Sequence, residues 1–173
     1  MGKKLAGLLA TLVLALGLFG CTGSTKEGDS LSFTATDLAG NTVTSEQLFG
    51  GNKLTMLNIW ATDCEGCVDE MPGLEELAKK TGIGIVGVVQ DVQPGVEDEY
   101  YETAKQIVST TGVTYPNLIP WDGYDDVLRS SVTPVSYFVD PTGRVVGSPI
   151  MGARDMGSYE QLINETLESL NAK

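Results

Sequence analysis

Eight residues from Lys53 to Trp60 (Lys-Leu-Thr-Met-Leu-Asn-Ile-Trp) run almost wholly apolar toward Cys64-Glu-Gly-Cys67. Beyond the cysteines, Val68, Met71, Leu74, Leu77 and Ala78 recur at spacings of three and four. A strand buried on both faces reads as a continuous apolar run, and an amphipathic helix as a three-to-four period. The segment therefore reads as a buried strand feeding a helix, with Gly50-Gly51-Asn52 as its opening boundary and Gly82 as its stop. Pro72 interrupts the helical pattern and is expected to kink the helix near its first turns.

The flanking sequence repeats this alternation. Ile83 to Val89 is β-branched and reads as a second buried strand, and Glu97 to Thr111 reads as a helix with acids at its start and Gly112 at its end. A short strand is expected around Asn117 to Ile119 and a short helix around Tyr124 to Ser130. Val135 to Val139 and Arg144 to Ile150 are strand-like runs joined by Asp140-Pro-Thr-Gly143, a turn by its Pro and Gly. Ser158 and Gln161 suggest a capping box for a final helix striped by Leu162, Ile163, Leu167 and Leu170. Near the front, Phe33 to Thr36 and Thr42 to Thr44 flank Asp37-Leu-Ala-Gly40-Asn41, the pattern of a short hairpin. The sum is an α/β fold, a mixed sheet flanked by helices on both faces with an extra N-terminal β-hairpin.

The first 20 residues hold Lys3 and Lys4, then an apolar run from Leu5 to Phe19. A positive start followed by an apolar stretch too short to span a bilayer comfortably is the pattern of a secretory signal. Leu18-Phe19-Gly20-Cys21 resembles the lipobox of bacterial lipoproteins, which implies that Cys21 is lipidated. The alternative is an uncleaved N-terminal anchor with Cys21 uninvolved. Residues 1–20 are accordingly expected as a lipoprotein signal peptide, 21–30 as a flexible polar tether and 31–173 as the folded domain. The domain would lie outside the cytoplasm, anchored to the bacterial cell membrane.

Two of the eleven basic residues lie in that leader, so nine remain against 23 acids, a net charge of −14. Such a surface repels nucleic acid and anionic headgroups, and leaves proteins, with or without basic patches, as partners. Much of this acidity is also what keeps a secreted domain soluble. The chain has no histidine. That removes Ser-His-Asp and Cys-His nucleophile pairs and most zinc or copper sites. No metal or other cofactor is expected.

A C-x-x-C between a buried strand and a helix is the setting of a redox pair. Cys64 falls at the helix N-terminus, where unpaired N–H groups and the dipole favour a thiolate, and Cys67 lies one turn on. Cys64 would attack a substrate disulfide and Cys67 would resolve the mixed disulfide. Other readings stay open: a metal site completed by carboxylates, a structural disulfide closing a very short loop, or two unrelated thiols.

From about Leu31 onward the chain resembles the TlpA/ResA branch of the thioredoxin superfamily. The resemblance rests on seven positions of its W-A-T-x-C-x-x-C-x-x-E-x-P core: Trp60, Ala61, Thr62, Cys64, Cys67, Glu70 and Pro72. It implies a thioredoxin-like fold and a thiol-disulfide oxidoreductase. It also implies a cis-proline loop at Thr133-Pro134, with Thr133 pairing to a bound peptide beside Trp60; an ordinary trans proline at a strand edge is the alternative. Asn58 stands where thioredoxin itself has a buried acid, which would leave proton transfer to Glu70, as acceptor for Cys67. Otherwise Glu70 is a solvated glutamate in a first helical turn.

Asp63 departs from the family pattern, which places an aromatic residue there. With Glu65 and Asp69 it surrounds Cys64 with negative charge, disfavours the thiolate, destabilises the dithiol and so lowers the reduction potential. A reductant of protein disulfides is therefore expected, acting as a monomer. The resemblance implies apocytochrome c as substrate class, hence cytochrome c biogenesis. A membrane thiol-disulfide carrier would supply electrons. Alternatives are an electron donor to a secreted methionine sulfoxide reductase or peroxidase, and a redox-inactive peptide-binding chaperone. A thiol peroxidase would want Thr where Ala61 stands, and copper delivery would want histidine.

Overall fold

The computed structural model describes residues 25–172. The expected signal peptide and Cys21 lie outside the described residues. The elements are β1 (Thr34–Thr36), β2 (Thr42–Thr44), α1 (Ser45–Phe49), β3 (Thr55–Trp60), α2 (Glu65–Thr81), β4 (Gly84–Val89), α3 (Glu99–Thr111), β5 (Asn117–Leu118), α4 (Tyr124–Val127), β6 (Val135–Val139), β7 (Val145–Met151) and α5 (Met156–Asn171). β1 and β2 form a separate antiparallel hairpin, and the main sheet runs β5-β4-β3-β6-β7. The β3–β4 and β4–β5 pairs are parallel, whereas β6 and β7 join antiparallel. The α/β architecture expected from the sequence, with its extra hairpin, is the one observed.

All six residues of β3 are buried, as a central strand covered on both faces must be. Leu57 and Ile59 face a layer that contains Phe49, Tyr124, Leu128 and Tyr137. Leu54 and Met56 face α2 and α5 through Leu74, Leu77, Tyr159 and Ile163. At the C-terminal end of the strand, Trp60 packs with Cys67, Met71, Val89 and Ala104. α2 continues through Pro72 to Thr81, because its buried side chains hold it against the sheet on both sides of the proline.

Three local expectations change. The helix α1 carries a Thr44/Gln47 capping box that sequence reasoning passed over. The cap of α5 is Asp155, whose side chain accepts from Ser158 N–H, and not Ser158 itself. Residues 25–30, expected within a free tether, are tied to the domain. Gly28 N–H donates to Val145 O at 2.9 Å, Val145 N–H to Asp29 O at 2.8 Å, and the Thr25 hydroxyl to Val127 O. Polar composition hid this, since two of these three contacts are made by backbone on both sides. Gly143 permits it: φ is +85°, and a Cβ there would stand 2.7 Å from Leu31 O.

Candidate active site

The C-terminal end of β3 delivers the chain to Cys64, which caps α2 with its sulfur accepting from Cys67 N–H at 3.2 Å. Cys64 and Cys67 form a disulfide. Cys67 is buried, while Cys64 is half-buried at the surface, so one sulfur is within a partner's reach and the other is shielded. This is the asymmetry that an attacking and a resolving cysteine require.

Across the sheet, Ile59 pairs with Val135, so the loop before β6 stands at the same end as the disulfide. The Thr133–Pro134 peptide is cis, as the resemblance implied. Thr133 is half-buried, Pro134 buried, and Val132 beside them is 46% exposed. Pro134 O accepts from Gly152 N–H at 2.8 Å, which pins this loop to the end of β7.

Glu70 is only 5% exposed, and thus not a solvated first-turn glutamate. Asn58 Nδ2 donates to its Oε1 at 3.0 Å, and Tyr159 O–H donates to its Oε2 at 3.2 Å. Asn58 Nδ2 also donates to Ser136 Oγ at 3.0 Å, two residues beyond Pro134. Burial pushes the Glu70 carboxyl above its ordinary value, with the bonds from Asn58, Tyr159 and the Arg154 backbone partly opposing it.

Trp60 does not reach the substrate surface, where the resemblance had put it. Its side chain is fully buried, and Nε1 donates to Asn117 Oδ1 at 3.0 Å. The pleat of β3 turns it into the layer under α3, so it braces the site from below. Asp63, Glu65 and Asp69, near Cys64 in sequence, all stand at exposed positions, where water and salt weaken the influence of their charge.

Sequence reasoning passed over the pair that holds the two loops together. Asp91 Oδ2 accepts from Thr62 N–H at 2.8 Å and from its hydroxyl at 2.5 Å. Gln90 Nε2 donates to Ser130 O at 3.1 Å, and its Oε1 accepts from Ser130 N–H at 3.2 Å. Adjacent residues at the end of β4 thus fix the cysteine loop and the proline loop. A polar pair directly after an apolar strand was the available signal.

The family model of the AhpC/TSA family matches residues 28–148. The thiol-disulfide oxidoreductase ResA of Oceanobacillus iheyensis is 29% identical over 125 residues, 69% of this chain and 60% of that protein. The ResA of Bacillus subtilis is 29% identical over 152 residues, covering 81% of this chain and 79% of that protein. The crystal structure of a thioredoxin-family thiol:disulfide interchange protein from Chlorobium tepidum superposes with a TM-score of 0.64 at 24% identity, over 82% of this chain and 97% of that one, and supports the fold alone. The ResA resemblance read from the motif is thus matched by relatives of that name. The chain belongs to the AhpC/TSA family of thioredoxin-like proteins.

Proposed function

We propose that the protein is an extracytoplasmic thiol-disulfide oxidoreductase that reduces disulfides in other proteins through Cys64 and Cys67. The observation that carries this reading is the pairing of a half-buried Cys64 at a helix N-terminus with a buried Cys67, beside a cis Thr133–Pro134 loop. In the reduced form, the Cys64 thiolate attacks a substrate disulfide; a Cys64–substrate bond forms and one substrate sulfur leaves as thiolate. Cys67 then attacks Cys64, its proton passes to the Glu70 carboxylate, and the second substrate sulfur leaves. Two electrons have moved to the substrate, and the Cys64–Cys67 disulfide is restored. Thr133 pairs with the substrate backbone as it enters.

The finer reading is of a lipoprotein held to the bacterial membrane through Cys21 and re-reduced by a membrane thiol-disulfide carrier. Its substrates are extracytoplasmic proteins of the apocytochrome c class. The lipobox-like Leu18-Phe19-Gly20-Cys21 supports the anchor, and the ResA relatives support the chemistry. Among the described residues no helix is long and apolar enough to cross a membrane. A thiol peroxidase is disfavoured because Ala61 stands where its threonine would, and the Thr62 hydroxyl is committed to Asp91.

Cys64→Ser is expected to abolish insulin-disulfide reduction; persistent turnover would reject the mechanism. A Cys67→Ser variant, which cannot resolve the mixed disulfide, should accumulate its substrate covalently in native membranes. Even screened, the exposed acids close to Cys64 in sequence disfavour its thiolate, so the potential should lie well below the roughly −120 mV of the strong oxidant DsbA. A value near that figure would reverse the assigned direction.

A further inference from the structure

The resolving step asks Glu70 to remain a carboxylate inside the core until Cys67 gives up its proton. Burial opposes the charged form, so the acid depends on donors aimed at its two oxygens. Asn58 supplies one donor to Oε1 from the neighbouring strand. Tyr159 supplies the donor to Oε2 from α5, 89 residues away in sequence. Its ring is fully buried in the layer with Leu74, Leu77 and Ile163, so packing of α5, and not the active-site helix, sets where the hydroxyl points. The Ser136 hydroxyl stands beside that of Tyr159, and Asn58 bridges Ser136 to Glu70. Four side chains from β3, α2, β6 and α5 thus join the helix that carries Cys67 to the strand that follows the cis-proline loop.

We propose that Tyr159 is a positioning residue for the exchange reaction: its hydroxyl holds Glu70 as a proton-accepting carboxylate one helical turn from Cys67. This rests on the reading of Glu70 as acceptor for the Cys67 proton. The titratable groups that act on Glu70 are Tyr115 from the segment before β5 and Tyr159 from α5; Arg154, from the loop before α5, bonds it through its backbone while its exposed guanidinium donates to Met151 O, and Cys67 lies three residues earlier on the same helix. β3 and β6 contribute only the uncharged Asn58 and Ser136. The Tyr115 hydroxyl is buried and makes no hydrogen bond to the acid. Tyr159 is therefore the phenol that donates to the acid.

Tyr159→Phe removes the donor and keeps the ring. Two measurements on the full chain separate positioning from mere structure. The first is the carbon-13 carboxyl titration of Glu70 in the oxidised protein, which needs no activity. The second is the pH dependence of thionitrobenzoate release from a Cys64–thionitrobenzoate mixed disulfide, which reports attack by Cys67. With Tyr159→Phe, the Glu70 midpoint and the rising limb of the release profile should both move up by about one pH unit, with release roughly tenfold slower below that limb. Site-specific 3-fluorotyrosine at 159, a stronger donor of the same shape, should move both the opposite way, and it covers the case in which the phenylalanine variant folds poorly. In a Glu70→Gln background, Tyr159→Phe should change nothing further. An unmoved Glu70 midpoint, or an effect of Tyr159→Phe that survives Glu70→Gln, overturns the proposal. A midpoint that moves while Glu70→Gln leaves release unaltered overturns the reading of Glu70 on which it rests.

Discussion

Glu70 and Glu75 lie on the same helix, both largely buried, and their environments send them in opposite directions. For Glu75 burial pushes the carboxyl up, but Thr114 N–H at 2.9 Å, the Thr114 hydroxyl at 2.8 Å and Lys79 at 3.1 Å outweigh it and lower the value. Glu70 has only uncharged donors, so desolvation prevails and the value is raised. A carboxyl raised in the folded state binds its proton more tightly there than in the unfolded chain. Its contribution to stability is complete below the ordinary glutamate range and is lost as pH rises through the folded value. Glu70→Gln, which cannot ionise, should therefore gain stability relative to the parent as pH climbs from 4 to 8. Urea unfolding at several pH values would show it, and a pH-independent difference would refute the assignment. Glu70 could be picked out as a candidate acid from the motif it shares with the family it resembles. Its burial and its Tyr159 partner were not, because 89 residues of chain separate the two.

β4 shows how one strand can position two loops. Its Gly87 lies against the Trp60–Asn117 bond: a Cβ there would fall 2.0 Å from Asn117 Oδ1 and 3.1 Å from Trp60 Nε1. Gly87→Ala should thus force Asn117 away and cost about 1–3 kcal/mol by denaturant unfolding. At the strand's end, Asp91→Ala would leave Thr62 without its two bonds. A loss of about 1.5–3 kcal/mol is expected, together with a higher KM for peptide disulfides, since the loop bearing Cys64 is freed. An unchanged KM would show that the loop holds its place without Asp91. Strands and long helices of this domain were readable because they carry sustained periodicity. The five-residue α1 and the docked 25–30 segment were harder to read, since short elements owe their conformation to what they pack on.

Across the whole molecule, 23 acids against 11 bases leave a net charge of −12, and the immediate surround of Cys64 shares that sign through Asp63, Glu65 and Asp69. Long-range attraction should favour cationic substrates and fade with screening. Reduction of a lysine-rich peptide disulfide is expected to slow about three- to tenfold in kcat/KM between low and high salt, while an acidic peptide of equal length speeds up. Equal salt responses would show that the surface charge plays no part in substrate capture. The N-terminal segment also acts over the whole fold. It bridges Ser30 to Arg144 near the β6–β7 turn and Asp37 to Leu118 at the opposite edge, so it spans the sheet it covers.

Much of this protein is written locally. The buried β3, the helix that follows it, the paired cysteines at their junction and the closing hairpin are each encoded within a dozen neighbouring residues, and hydrophobic period and turn chemistry suffice to read them. The burial of Trp60, the enclosure of Glu70, the Gln90–Asp91 clamp and the docking of residues 25–30 arise differently. Each depends on groups far apart in the chain meeting in one register, and a pattern confined to one segment carries no record of what the sheet will bring alongside it.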